Sequence, residues 1–176
     1  TNILELGCGQ GRDSLFFANS GMQVHSLDYS KSGIDSIIKK AEISGLSHRI
    51  TAKFHDVRKP LPFKDETFDG CFSHMLYCMA LTTEELVCLS KELHRILKPG
   101  GINIYTARHI GDADYGIGIH RGEDLYETDG FIVHFFSREK IKQLSKGFDI
   151  INIENFEEGK LPRKLFRVTL RKPEKI

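Results

Sequence analysis

Closely spaced glycines stand between the first apolar segment of the chain and its first helical pattern. They lie in the run Glu5-Leu6-Gly7-Cys8-Gly9-Gln10-Gly11-Arg12, which follows the apolar segment directly. Glycines let a backbone turn tightly and approach a ligand closely. In open parallel sheets, ligands bind beyond the carboxyl ends of the strands, and the first strand usually flanks that site. The spacing therefore indicates a ligand-binding loop at the end of the first strand.

The ligand that this loop favours is a nucleoside without a pyrophosphate. In a dinucleotide fingerprint the third glycine allows close helix–strand packing, and Arg12 occupies that position here. A P-loop is excluded because no Gly-Lys-Ser/Thr follows. Asp28 ends the second predicted strand and Asp56 ends the third. Asp28 can accept hydrogen bonds from ribose hydroxyls, Asp56 can accept from an adenine amino group, and the Val57 N–H can donate to the ring.

With these motifs, the chain resembles the class I S-adenosylmethionine-dependent methyltransferases over nearly its whole length. Glu5 and the three glycines are similar to the first motif of that family, and Asp28 and Asp56 resemble its second and third motifs. Two further matches are the fourth-strand motif Phe68-Asp69-Gly70-Cys71-Phe72-Ser73 and the turn Leu97-Lys98-Pro99-Gly100-Gly101. The run from Gly7 to Leu15 looks closest to the tellurite-resistance branch. The resemblance implies S-adenosylmethionine as cofactor and S-adenosylhomocysteine as product.

The resemblance also implies roles at the methionine end of the cofactor. Gly7, Gly9 and Gly11 would border the methionine part. Arg12 would pair with its carboxylate, which gives that arginine a positive reason to be present. Glu5 would orient the loop or bind the amino group of the cofactor through water.

At the adenosine end, the resemblance assigns five further residues. Asp28 would hold the ribose, with Tyr29 beside the adenine. Asp56 and Val57 would hold the edge of the base. Ser73 ends the fourth strand, where cofactor and substrate meet in this family.

The need for a catalytic base depends on the acceptor. A sulfonium is already activated, so the protein mainly supplies approach geometry and a dry site. A neutral hydroxyl or amine would need a base, whereas a thiolate or a metalloid anion would not. His74, just past the fourth strand, and His109, after the fifth, are the candidate bases, and each has a plainer alternative as a polar residue at the sheet rim. No standard metal-site spacing is present, so we expect no metal.

Alternating strands and helices predict a doubly wound, mostly parallel, Rossmann-like α/β sheet. The link between the predicted strands Ile150–Asn155 and Phe166–Leu170 is too short for a helical crossover, which predicts an antiparallel hairpin at one edge. The resemblance implies seven strands in the order 3-2-1-4-5-7-6, with strand 7 antiparallel. Residues 107–134 show no sustained period and are expected to form an irregular substrate-side segment.

We expect a single methyltransferase domain over residues 1–176. Members of the family usually carry a helix or two before the first strand that cover the cofactor. The chain opens directly on a strand pattern, so an N-terminal lid is expected to be missing.

The composition limits the function classes. Hydrophobic residues make up 40% and charged residues 28% of the chain, which argues against long disorder, and the net charge of +1 gives no global basic field for nucleic acid. There is no apolar run of membrane-spanning length and no basic signal region. We therefore expect a cytoplasmic enzyme, a monomer or a weak homodimer, with a small-molecule acceptor and neither a membrane nor a nucleic-acid partner.

Two alternatives stay open. Residues 160–176 hold seven basic residues and one acid, a pattern that could contact RNA phosphates or protect an edge hairpin with charge. RNA or protein methylation is therefore one alternative. A non-catalytic module that binds S-adenosylmethionine is the other.

Overall fold

The computed structural model of the chain describes residues 1–160 and 163–174. The first half contains β1 (Asn2–Leu6), α1 (Arg12–Asn19), β2 (Gln23–Asp28), α2 (Lys31–Ile43), β3 (Ile50–Phe54), β4 (Phe68–Ser73) and α3 (Thr83–Ile96). The second half contains β5 (Leu97–Arg108), β6 (Ile119–His120), β7 (Leu125–Thr128), β8 (Phe131–His134), α4 (Arg138–Leu144), β9 (Asp149–Glu158) and β10 (Arg163–Arg171).

The main sheet has seven strands in the order β3-β2-β1-β4-β5-β10-β9. Neighbouring strands from β3 to β5 pair in parallel, and β10 pairs antiparallel with both β5 and β9. Since β6, β7 and β8 form a separate small sheet, β9 and β10 are the sixth and seventh strands of the main sheet. The predicted Rossmann-like fold, with its antiparallel seventh strand, is confirmed, and only the chain-order labels at this edge differ.

Helices cover both faces of the sheet because successive side chains of a strand point to opposite faces. Leu4 and Leu6 of β1 join a core cluster with the apolar stripe of α3. Ile3, whose side chain points to the opposite face of β1, packs instead with Ala18 of α1. Thr82 caps α3 in the predicted capping box, in which its side chain accepts from the Glu85 N–H.

Residues 107–134 are more regular than the sequence predicts. β6, β7 and β8 form an antiparallel sheet in that order. These strands are two to four residues long, which is too short for an alternating pattern to be recognised. Asp129 and Gly130 both adopt positive φ between β7 and β8, as a tight hairpin turn of the Asp-Gly type requires. That dipeptide was the available sequence signal.

The basic residues near the C-terminus lie mostly on β10, opposite acids of β9. The cross-strand partners are Arg163 with Glu158, Lys164 with Glu157, Arg167 with Glu154 and Arg171 with Asp149. The Nε atom of Arg167 donates to Glu154 at 2.8 Å. Lys172 is buried and donates to the Leu97 carbonyl at 2.8 Å, while Lys175 lies outside the described residues. The local balance of charge favours the edge-hairpin interpretation of this basic segment.

Gly11 sets where α1 begins. Its φ is +83°, in the left-handed region that favours glycine. A Cβ atom at this position would lie 2.4 Å from Cγ1 of the fully buried Ile37 of α2. The glycine therefore serves both a backbone conformation and the close approach of α2 to the loop.

We expect Gly11→Ala to lower the free energy of unfolding by about 2–4 kcal/mol, because left-handed strain and overpacking against Ile37 add. Gly45→Ala is the matched control, since Gly45 also has positive φ but a Cβ there meets nothing within 4 Å. The control should cost only about 1 kcal/mol of strain. Urea unfolding measures both, and equal losses for the two variants would contradict the packing argument.

Candidate functional site

A cavity of about 390 Å³ lies beyond the carboxyl ends of the first four strands, a size typical of small-ligand sites. Its described lining residues are Gly7, Asp28, Tyr29, His55, Asp56, Val57, Arg58, His74, Met75, Leu76, Met79, Ala80 and Leu81. The cavity thus has a polar side, built after β1, β2 and β3, and a mostly apolar side, built after β4.

Asp28 joins the loops that follow β1 and β2. One carboxylate oxygen accepts the Gly9 N–H at 2.7 Å, and the other accepts the Ser30 N–H at 2.7 Å. Ser30 in turn caps α2, where its side chain accepts from the Gly33 N–H. A carboxylate has about four lone-pair positions. Asp28 can therefore hold both loops and still accept hydrogen bonds from a ligand in the cavity.

Asp56 is held by an arginine that the sequence analysis did not select. Arg58 donates from Nε to one carboxylate oxygen at 2.9 Å and from Nη2 to the other at 2.7 Å. This pairing lowers the pKa of Asp56 to about 2, so the group is ionised at neutral pH. The guanidinium also lies 5.8 Å from the ring centre of Tyr29, a cation–π distance. Asp56 and Arg58 thus form an ion pair beside the aromatic ring of Tyr29, on the polar side of the cavity.

His55 is a second residue that the sequence analysis did not select. It lines the cavity between β3 and Asp56, and its Nε2 atom is buried without a hydrogen-bond partner among the described residues. A buried polar atom without a partner costs free energy unless a ligand or water satisfies it. Its position directly before Asp56 was the signal available in the sequence.

The apolar side of the cavity presses against the glycine loop. A Cβ atom at Gly7 would lie 3.2 Å from side-chain atoms of Leu76, so glycine permits this close approach. Met75 has φ +62°, an uncommon conformation for a residue other than glycine, and such strain clusters at functional sites. The turn after β4 is therefore held tightly against the end of β1.

The predicted residues of the methionine end lie mostly outside the described lining of the cavity. Glu5, Gly9, Gly11 and Arg12 are not among the lining residues. Arg12 is exposed and donates to Asp13 at 3.0 Å. The cofactor roles of these residues stay predictions.

Glu5 is directed into the protein, where it is 3% exposed. Ser14 of α1 donates to its carboxylate, and Ser14 lies 2.7 Å from Ser26 of β2. Burial raises the pKa of Glu5 to about 7. The contact between Glu5 and Ser14 joins β1 to α1 across the glycine loop. Of the two roles predicted for Glu5, this contact supports that of orienting the loop.

The two candidate bases lie in different surroundings. His74 lines the cavity, with Nδ1 2.9 Å from Oγ1 of Thr106 and Nε2 3.3 Å from Oε1 of Glu158. His109 is not among the described lining residues. Its ring lies 4.8 Å from that of Phe166, and burial lowers its pKa. The catalytic roles of both histidines stay predictions.

Ser73, the predicted residue at the end of β4, is completely buried, and its hydroxyl has no hydrogen-bond partner among the described residues. In residues 1–160 and 163–174, no group of three or more His, Cys, Asp or Glu side chains is arranged to hold a metal ion. In the same part of the chain, no helix combines the length and apolar character needed to cross a membrane.

Comparison with known proteins gives a family match over more than half of the chain. Residues 3–101 match the methyltransferase domain family. The tRNA N(3)-cytidine methyltransferase METTL2 of Gallus gallus is 28% identical over 90% of this chain and 45% of its own length. A probable S-adenosyl-L-methionine-dependent methyltransferase, TehB of Haemophilus influenzae, is 29% identical over 60% of this chain and 35% of its own length. The chain thus spans less than half the length of these relatives.

Among solved structures, a SAM-dependent methyltransferase from Methanosarcina mazei has the same fold. It superposes with a TM-score of 0.81 at 24% sequence identity, covering 99% of this chain and 93% of the other. At this level of identity the likeness supports the fold.

The raised pKa of Glu5 predicts a pH-dependent stability. Below about pH 4.5 the carboxyl is protonated in both states; between pH 4.5 and 7 only the folded state keeps the proton, so stability falls as pH rises. We expect this group to remove about 3 kcal/mol from the free energy of unfolding across that interval. Glu5→Gln, which is neutral and still accepts from Ser14, should lose this component.

Urea unfolding at pH 5 and pH 8 measures the effect, with the exposed Glu42→Gln as matched control. The control should retain the pH dependence of the unchanged protein. If Glu5→Gln retained it as well, the buried carboxyl would not be its source.

Proposed function

The chain belongs to the S-adenosylmethionine-dependent methyltransferase family, and from this premise we propose that it transfers the methyl group of S-adenosylmethionine to a small-molecule acceptor. The family and the cofactor that the resemblance in sequence implied are confirmed by the match over residues 3–101. The acceptor atom that we propose is O, N, S or a metalloid. The reaction is an in-line displacement that leaves S-adenosylhomocysteine.

The observation that carries this proposal is one cavity bounded by four successive strand ends. The loops after β1 and β3 contribute Gly7 and Asp56, the last residue of β2 contributes Asp28, and the turn after β4 contributes His74. Asp28 fits the ribose hydroxyls because its two oxygens are already directed by backbone N–H groups.

The chain's own residues would bind, orient and exclude water. Asp28, Asp56 and Tyr29 would hold the nucleoside, which leaves the reactive end toward the turn after β4. The mostly apolar side chains of that turn, such as Met75 and Leu76, keep the reacting atoms in a dry environment. The bound cofactor supplies an activated methyl group, so orientation of the acceptor is the main task of the protein.

We expect Asp28→Asn to weaken the binding of S-adenosylmethionine about 10–100-fold, since hydrogen bonds to a charged group contribute about 1.5–3 kcal/mol. An asparagine offers one acceptor oxygen where Asp28 uses both of its oxygens for backbone N–H groups. The exposed Asp35→Asn on α2 is the matched control and should bind as the unchanged protein does.

Isothermal titration calorimetry with S-adenosylmethionine and with S-adenosylhomocysteine measures these affinities. No binding of either compound to the unchanged chain would refute the proposed function. Unchanged affinity in Asp28→Asn would refute the role of Asp28 alone.

RNA methylation is the second candidate, because the relative from Gallus gallus is named as a tRNA methyltransferase and aligns with 90% of this chain. The charge on β10 argues against it, since four of its basic residues face acids of β9. Binding to RNA phosphates requires basic groups that are free to displace counterions.

We therefore expect no retention of tRNA by the chain at about 0.15 M salt, the physiological range in which charge-driven contacts are screened. Filter binding over a salt series measures retention. As control, the double variant Glu154→Gln, Glu157→Gln frees basic residues of β10 and should increase retention at low salt. Tight, salt-dependent binding by the unchanged chain would favour the RNA candidate instead.

A further inference from the structure

The turn after β4 places His74 at the cavity and Met75 in a strained backbone conformation. Met75 has φ +62°, a strained conformation for a residue other than glycine, which persists only where neighbouring groups fix it. The Sγ atom of Cys78 lies 3.2 Å from the Met75 carbonyl oxygen, to which it donates. A second group fixes the other side of the same residue.

That second group is the hydroxyl of Thr106 on β5. Its Oγ1 accepts the Met75 N–H at 2.9 Å and lies 2.9 Å from Nδ1 of His74. Thr106 is 4% exposed, so its hydroxyl is shielded from water, which would otherwise compete for these two contacts. One hydroxyl therefore fixes both the strained backbone and the neighbouring imidazole ring.

The opposite nitrogen of the ring determines which tautomer is present. Nε2 of His74 lies 3.3 Å from Oε1 of Glu158, at the end of β9. A carboxylate oxygen repels a nitrogen lone pair and attracts an N–H, so the proton of a neutral His74 resides on Nε2. Nδ1 then carries the lone pair and accepts the proton of the Thr106 hydroxyl. The hydrogen-bonded chain thus runs from the Met75 N–H through Thr106 to His74, whose other nitrogen faces a carboxylate.

We propose that Thr106 is a positioning residue that holds His74 with its proton on Nε2, and that this N–H orients an acceptor carboxylate for methylation. The inference rests on the proposed function and deepens it by naming the acceptor class. His74 then acts as a hydrogen-bond donor to the acceptor, an alternative to the general-base role considered from the sequence. Glu158 demonstrates that a carboxylate can face Nε2 in this fold.

The chemistry of a carboxylate acceptor balances without a base. One carboxylate oxygen attacks the methyl carbon bound to the sulfonium; a C–O bond forms while the C–S bond breaks. The electron pair of the broken bond goes to sulfur, which becomes a neutral thioether, and the acceptor becomes a neutral methyl ester. No proton is taken up or released, so this step requires no base and agrees with His74 acting as a hydrogen-bond donor.

Apolar side chains near His74 favour a reaction in which two opposite charges are neutralised. Met75, Leu76, Ala80 and Leu81 line the same side of the cavity. The positive charge of the sulfonium and the negative charge of the carboxylate partly neutralise each other in the transition state. Surroundings of low dielectric constant therefore favour the transition state over the separated charges. The same apolar side chains favour an acid that carries an apolar chain.

The tautomer is tested by two-bond ¹⁵N–¹H correlation spectra of chain labelled at histidine and saturated with S-adenosylhomocysteine, with His74→Gln to assign the signal. We expect the Nε2–H form of His74 in the unchanged chain and in Thr106→Ser, which keeps the hydroxyl. Thr106→Val should change the ratio of the tautomers about fivefold, the effect of one hydrogen bond of about 1 kcal/mol. Thr169→Val on β10 is the matched control and should leave the spectrum unchanged. An Nδ1–H form in the unchanged chain would overturn the proposal.

The acceptor class is tested in the same sample by adding octanoate or, separately, octylamine. Octanoate should shift the His74 Nε2 resonance, and octylamine should not. Glu158→Gln removes the competing carboxylate and should lower the octanoate concentration needed by about two- to fivefold, as expected for a partly exposed charge. Absence of an octanoate shift, or weaker octanoate binding in Glu158→Gln, would overturn the carboxylate assignment.

Failure of this inference is separate from failure of the proposed function. Calorimetry with S-adenosylhomocysteine precedes the spectra, and no binding there would refute the proposed function itself. If the cofactor product binds and methyl transfer from S-adenosylmethionine reaches octylamine but not octanoate, the chain is a methyltransferase with an amine acceptor and the inference fails alone. Formation of methyl octanoate supports both.

Discussion

Both oxygens of the Asp28 carboxylate accept backbone N–H groups, one from the glycine loop after β1 and one from the residue that caps α2. The two loops are thereby fixed relative to each other at the point where the sheet opens. Asp28 lies at the carboxyl end of β2, which is paired in parallel with β1, so the sheet itself sets where this carboxylate stands. The rest of the cavity is arranged around that position, with Asp56 one strand away on one side and the turn after β4 on the other.

One side of the cavity carries ionised side chains and the other is mostly apolar. Asp56 keeps its negative charge at neutral pH because Arg58 pairs with both of its oxygens. On the side of β4, Met75 and Leu76 supply apolar walls, and His74 is the one polar side chain among the described lining residues that follow β4. A ligand with a polar nucleoside and a reactive group that benefits from low dielectric matches both sides.

Much of the fold was predictable because its signals are local and repeated. The bounds of β4 follow from one apolar run, and the capping box at Thr82 marks the start of α3 within a residue. The small sheet in residues 107–134 was not predicted, because its strands are too short to show a period. At the site, the strand-end aspartates were predictable from their position. The contacts of His74 with Thr106 and Glu158 join residues 32 and 84 positions apart in the chain, and no spacing in a single sequence encodes them.

The opposite charges along β9 and β10 also bear on how the hairpin assembles. In the native register, Arg163, Lys164 and Arg167 each meet an acid. A slip of two residues in one direction would set Arg163 against Lys160, and in the other it would set Leu165 against Glu154. The first displaced register is thus disfavoured by repulsion between two basic side chains, and the second because Glu154 loses its basic partner. Both effects act before any core packing has formed. The charge pairs between β9 and β10 therefore help to set the register of the two strands. High salt would screen these pairs during folding while leaving the finished sheet intact.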